Sequence, residues 1–229
     1  IHKPAILGIL GAILGLEGYQ KKGELPQYYQ LLKHLQIGIR PLNNEKGNIC
    51  IDGLAIAKFS RSVFKDMQRG QITAANCTCS VWENFHETIE NLTIWNDHFK
   101  KNNDIICHVK SSEDIIKAQA EGKVGIILGW QNTSAIEDDI KKLQIFYDLG
   151  IRVVQLTYNT ENLVGSGCWE TNDAGLSDFG KDVVVEMNRL GMVIDLSHVG
   201  PKTSSDAINI SKSPVAYTHC CPAIKKHPR

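Results

Sequence analysis

Residues 186–198 read EMNRLGMVIDLSH, and this stretch decides the fold. Gly191 is a helix stop, Met192 to Leu196 is an apolar run too short for a helix, and a polar residue, His198, follows the run. Upstream, Ser177 can cap a helix that buries Phe179, Val183, Val184, Met187 and Leu190 before ending at Gly191. Downstream, Pro201 suits the first turn of a helix running to about Ser211, and Pro214 to Thr218 (PVAYT) forms the next short strand. A helix, a stop, a short buried strand and another helix make the unit of a parallel sheet with crossover helices.

The same unit recurs towards the N-terminus. Ile151 to Thr157 (IRVVQLT) reads as a strand behind the stop at Gly150, and Ile136 to Leu149 as the helix before it, with Ile136, Ile140, Leu143, Phe146 and Tyr147 on one face. Val124 to Trp130 (VGIILGW) is a strand behind a helix that opens near Ser112, Glu113 and Asp114 and ends at Gly122. Earlier still, a helix covers about Glu83–Lys101, Gln71 to Val81 reads as a strand, and a helix around Arg61–Arg69 follows a first strand at Ile49–Gly53. That gives six strands, the first five each followed by a helix. Strict alternation leaves a doubly wound open sheet or a closed β/α barrel. No G-x-G-x-x-G loop follows the first strand, so the dinucleotide-binding variant has no support.

Composition narrows the function classes. Twenty-five basic residues balance twenty-five acidic ones, so there is no electrostatic footprint for nucleic acid or for an anionic membrane. Seven cysteines without regular spacing read as free thiols in a reducing compartment, and a cytoplasmic location is expected. Pro4 to Leu16 (PAILGILGAILGL) is shorter than the roughly 20 residues a membrane helix needs and reads as a buried Gly-rich helix. Residues 1–46 are set apart as an N-terminal extension from a barrel at residues 47–229. The chain lacks an initiator Met and stops just after a strand-like segment, as a fragment would.

Barrel enzymes carry their working residues at the C-terminal strand ends, which all open onto one face. Here those residues are Gln131, Tyr158, His198 and His219, in the contexts GWQ, LTY, IDLSH and VAYTH. Neighbouring strands lie about 5 Å apart, so two imidazoles on successive strand ends can share one metal ion. Asp195 is placed as an outer support or a loop anchor. The remaining histidines (His2, His34, His86, His98, His108 and His227) show no partner pattern and read as solvated.

With these motifs in view, residues 49–229 resemble the zinc-dependent dipeptidases of the renal or membrane dipeptidase family. The likeness is carried by GLSDFG at 175–180, EMNRLGMVIDLSHV at 186–199, GIR at 150–152 with LTYN at 156–159, and Thr218-His219 with the terminal His227-Pro228-Arg229. It implies an α/β fold of (β/α)8 TIM-barrel type, incomplete here at about six of eight strands, and hydrolysis of a dipeptide by zinc-activated water. His198 and His219 match two metal ligands, Arg229 matches an arginine that receives the substrate's carboxylate, and Tyr158 stands where a histidine assists the substrate's carbonyl. Gln131 occupies the place of a glutamate that bridges two zinc ions, and Leu54-Ala55-Ile56 stands where a His-x-Asp pair would supply ligands to the second ion. One or two zinc ions are implied, with one favoured by these departures, and with Tyr158 and Gln131 as the catalytic candidates and Tyr158 and Arg229 as substrate contacts. A small dipeptide is the implied partner, and a homodimer is compatible with the family. Two other readings stand beside this one: a barrel that has lost catalysis and serves as a binding protein, and a different metal-dependent amidohydrolase. Residues 1–46 separately resemble a segment of the CRISPR-associated subunit that caps the guide-RNA complex, through ILGILGAILGL and YYQLLKHLQIGIRPL.

Overall fold

A computed structural model describes residues 49–220. The N-terminal extension, Cys221 and Arg229 lie outside the described residues, as does the proposed boundary at residues 46–47. The elements in order are β1 (Ile51–Ala55), α1 (Arg61–Arg69), β2 (Ala74–Ser80), α2 (Phe85–Lys101), β3 (Ile106–His108), α3 (Ser112–Ala120), β4 (Val124–Trp130), a 3-10 turn (Thr133–Ile136), α4 (Lys142–Leu149), β5 (Ile151–Gln155), α5 (Asp178–Leu190), β6 (Val193–Asp195), α6 (Pro201–Ile210) and β7 (Val215–Ala216).

Every strand pair is parallel, and the main path runs β1-β2-β4-β5-β6-β7. The sheet curls into part of a barrel with its helices outside. β1 and β7 end the path, yet they approach each other: a Cβ added to Gly53 would run into the carbonyl oxygen of Thr218. The incomplete TIM-type barrel expected from the sequence is thus the observed architecture.

α5 forms where its cap and stop predict. Ser177 caps α5 by accepting from the Gly180 amide, and Gly191, left-handed at φ 75°, closes it. α5 buries Val183, Val184, Met187 and Leu190, the face read from the sequence. The core lies between the curled sheet and these helices and includes Phe64 of α1, Trp95 of α2, Ile126 and Trp130 of β4, Phe146 of α4 and Met187 of α5. Trp130 meets the Phe146 ring edge-on, with centroids 4.6 Å apart.

Five expectations need correction. A seventh strand, β3, was not anticipated; it pairs with Val124–Ile126 at the start of β4, while β5 pairs with Leu128–Trp130 at its end. Its three residues are too few to show a period. His108 on this strand is not solvated: it stacks on Phe99 at 4.6 Å, Nε2 lies 3.3 Å from the Gly150 carbonyl, and burial pushes its pKa down to about 4. The helix read at Ile136–Leu149 breaks at Glu137, whose φ of 52° is left-handed, so α4 begins only at Lys142. The first strand begins two residues later than expected, and Ser111 rather than Ser112 caps α3, in a capping box with Asp114.

Candidate metal centre

The ends of β5, β6 and β7 bring three rings together. Tyr158 stacks on His198 with centroids 4.5 Å apart, and His198 meets His219 at 4.9 Å. His198 has φ 59° and Asn159 φ 65°, left-handed conformations that turn the chain sharply after each strand. Asn tolerates this conformation well; for His it is a local cost that the surrounding contacts must hold in place.

The acceptors beside each ring fix the imidazole protons. Asn159 Oδ1 lies 2.7 Å from His198 Nδ1. An amide oxygen only accepts, so His198 donates from Nδ1 and keeps its lone pair on Nε2. At His219, Thr218 Oγ1 donates to Asp195 Oδ2 at 2.6 Å and lies 2.9 Å from Nδ1. The hydroxyl has one proton, which goes to the carboxylate, so His219 must donate from Nδ1. Its Nε2 is buried and has no hydrogen-bond partner. Burial lowers the pKa of both histidines against the opposing pull of Asp195, and His198 lowers that of His219 further. Two neutral imidazoles, each with a lone pair on Nε2, form the donor set that zinc prefers.

Asp195 supports this arrangement from beneath. It is 1% exposed. Its Oδ1 accepts from the Ser197 amide (2.9 Å), Ser197 Oγ (2.6 Å) and the Thr218 amide (3.2 Å). Ser197 Oγ in turn accepts from the His219 amide at 3.1 Å. The sequence placed Asp195 as an outer support but gave no sign of Ser197, Thr218 or Asn159, whose roles depend on contacts across strands.

The other half of the strand-end face is built differently. Gln131 is 3% exposed, and its Nε2 donates to Thr78 Oγ1 at 3.0 Å. The backbone carbonyl of Gln131 accepts from Gln155 Nε2 at 2.5 Å. Leu54 is half-buried, and Ile56 is 65% exposed just beyond β1. Among the described residues, no group of three or more His, Cys, Asp or Glu side chains is placed to hold a metal. The paired imidazoles offer two neutral nitrogen donors, whereas Leu54, Ile56 and Gln131 offer no charged ligand at β1 and β4. Arg229 lies outside the described residues, so its contact with a substrate rests on sequence alone. Trp82, which the sequence did not single out, stands edge-on to Tyr158 at 5.3 Å and is 59% exposed, extending the aromatic wall outward.

The fold is an incomplete parallel β/α barrel with two imidazoles at adjacent strand ends. Residues 55–229 match the model of the membrane dipeptidase family (peptidase family M19), and the chain belongs to that family. It is 33% identical over 138 residues to an uncharacterized dipeptidase, C965.12, of Schizosaccharomyces pombe, covering 58% of this chain and 33% of the relative. It is 29% identical over 154 residues to the dipeptidase verJ of Clonostachys rogersoniana, covering 65% of this chain and 39% of the relative. Among solved structures, an amidohydrolase from Pseudomonas aeruginosa superposes with a TM-score of 0.76 at 52% identity, over 78% of this chain and 55% of that one. A metallopeptidase from Rhodobacter sphaeroides, liganded with a phosphinate mimic of L-Ala-D-Ala, superposes with a TM-score of 0.64 at 16% identity, over 73% of this chain and 63% of that one. The chain thus spans 33% and 39% of these curated relatives and 55% and 63% of these structures. Among the described residues, no helix is long and apolar enough to cross a membrane.

Proposed function

We propose that the protein is a metal-dependent dipeptidase that works with one zinc ion held by His198 and His219. The observation that carries this reading is the buried, unpartnered Nε2 of His219 beside the His198 ring, on a chain of the membrane dipeptidase family. A bound zinc ion polarises a peptide carbonyl and brings the pKa of its water from 15.7 to about 7. The chain's own part is to keep both imidazoles neutral by burial and to present their Nε2 atoms. Tyr158, half-buried against His198, would donate its phenolic proton to the oxygen of the attacked carbonyl as negative charge builds there. Gln131 would contribute an amide where family members use a bridging carboxylate; its engagement with Thr78 makes it a wall of the site rather than a ligand. Arg229 would receive the substrate's carboxylate through a bidentate contact. A cytoplasmic location and pairing of two copies belong to the same reading.

Zinc per chain, measured by elemental analysis of the full protein, tests this. We expect about one ion in the wild type and none after His198→Ala or His219→Ala, with release of amino acids from dipeptides lost in parallel. Full zinc content in both variants would overturn the assignment. A second reading, another metal-dependent amidohydrolase, is favoured by the missing donors at Leu54 and Ile56 and by the Pseudomonas aeruginosa neighbour described by that broader class. Dipeptides blocked at either end separate the two, because only an amidohydrolase of that kind would accept them.

A further inference from the structure

The proton positions in the site are set by side chains that touch neither substrate nor metal, and this arrangement can be tested without any turnover. Thr218 Oγ1 stands between Asp195 Oδ2 (2.6 Å) and His219 Nδ1 (2.9 Å). If the hydroxyl pointed its proton at the imidazole instead, two oxygen acceptors would face each other at 2.6 Å with nothing between them. A buried carboxylate left facing an unshared oxygen costs more than the single hydrogen bond gained. The carboxylate's other oxygen is already occupied by Ser197 and the Thr218 amide, so Asp195 cannot turn away to escape the conflict. The second histidine is fixed independently, by Asn159 Oδ1 at 2.7 Å.

We propose that Asp195 acting through Thr218, and Asn159 acting directly, are positioning residues that lock His219 and His198 as Nδ1–H tautomers, so that both Nε2 lone pairs are set for the metal before it arrives. Its purpose rests on the reading of these histidines as metal ligands, while the lock itself belongs to the metal-free protein. A free neutral imidazole exchanges its proton between the two nitrogens, and a ligand must have the lone pair on the coordinating atom. Holding the tautomer in advance removes that selection from the binding step, which is a form of preorganisation.

The test is nitrogen-15 NMR of the imidazoles in metal-free protein, with zinc affinity measured separately by competition against a chromophoric chelator. In the wild type we expect both rings to be almost entirely Nδ1–H. Thr218→Val keeps the shape but removes the hydroxyl, and should release His219 to a tautomer mixture while zinc affinity falls about 10- to 100-fold. Thr218→Ser should restore both. Should Thr218→Val fail to fold, Asn159→Gly tests the other arm: glycine accepts the left-handed backbone, and only the His198 tautomer should loosen. A tautomer unmoved in folded Thr218→Val, or in Asn159→Gly, would overturn the lock. A wild type with locked tautomers and no zinc affinity would instead overturn the metal reading, and with it the purpose of the lock.

Discussion

The two sides of the strand-end face differ in how their polar groups are satisfied. On the β6–β7 side, each side chain with spare hydrogen-bonding capacity passes it inward, from Asp195 through Ser197 and Thr218 to His219, and the sequence of contacts ends on an unpartnered Nε2. On the β1–β4 side, the side-chain amide of Gln131 reaches Thr78, and β1 offers Leu54 and Ile56, which have no donor atoms to offer. One side ends on an orphaned imidazole nitrogen, and the other on neutral amides, where buried Asn76 Oδ1 and Gln155 Oε1 likewise have no partner.

The sharpest way to break this comparison is to exchange the fate of the two sides. His219→Ala should weaken zinc binding by at least about a thousandfold, while Leu54→Ala should leave it unchanged; equal effects in the chelator competition would erase the distinction. The two sides nevertheless touch, because β1 and β7 meet at Gly53 and Thr218. Gly53→Ala places a methyl against backbone, which cannot yield as a flexible side chain would, and a loss of about 3 kcal/mol is expected in urea unfolding. Gln131→Glu alone buries a carboxylate without a cation and should cost about 2 kcal/mol at neutral pH, recovered on acidification as the group protonates. Combined with Leu54→His and Ile56→Asp, the same change should raise zinc from one towards two per chain. A triple variant that still binds one ion would show that β1 is closed for reasons beyond its side chains.

The smallest effect is a control away from both halves. His108 has its pKa pushed down to about 4 by burial, against about 6.5 in an unfolded chain. The unfolded state therefore binds the extra proton first. Stability contributed by this residue is full above about pH 6.5 and is lost as the pH falls towards 4. After allowance for its partial exposure, the loss should be about 2 kcal/mol between pH 7 and pH 4, and it should vanish in His108→Phe. A wild type and variant with the same pH dependence would show that the β3 edge is more solvated than its stacking on Phe99 implies.

These differences also mark what the sequence could show. The strand-and-helix order, the stops at Gly150 and Gly191 and the cap at Ser177 were legible because each is decided by residues within one turn or strand. His198 and His219 were legible because the same position recurs at the end of successive strands. β3 escaped because three residues carry no period, and the start of α4 because a left-handed Glu137 has no compositional mark. The proton-fixing roles of Asn159 and Thr218 escaped for a different reason. Asn159 acts on a ring 39 residues away and Thr218 draws on a carboxylate 23 residues away, so each depends on the curl of the sheet rather than on local pattern.

The carboxylate of Asp195 has a consequence for the order in which the protein comes into being. Two of its donors, the amide and hydroxyl of Ser197, are already at hand when β6 has been made; the other two belong to Thr218. Until β7 docks, Oδ2 has no donor from this set and His219 has no place beside His198. On the proposed reading, acquisition of zinc competence would coincide with docking of β7. In a refolding experiment, the ion would then report the arrival of that strand.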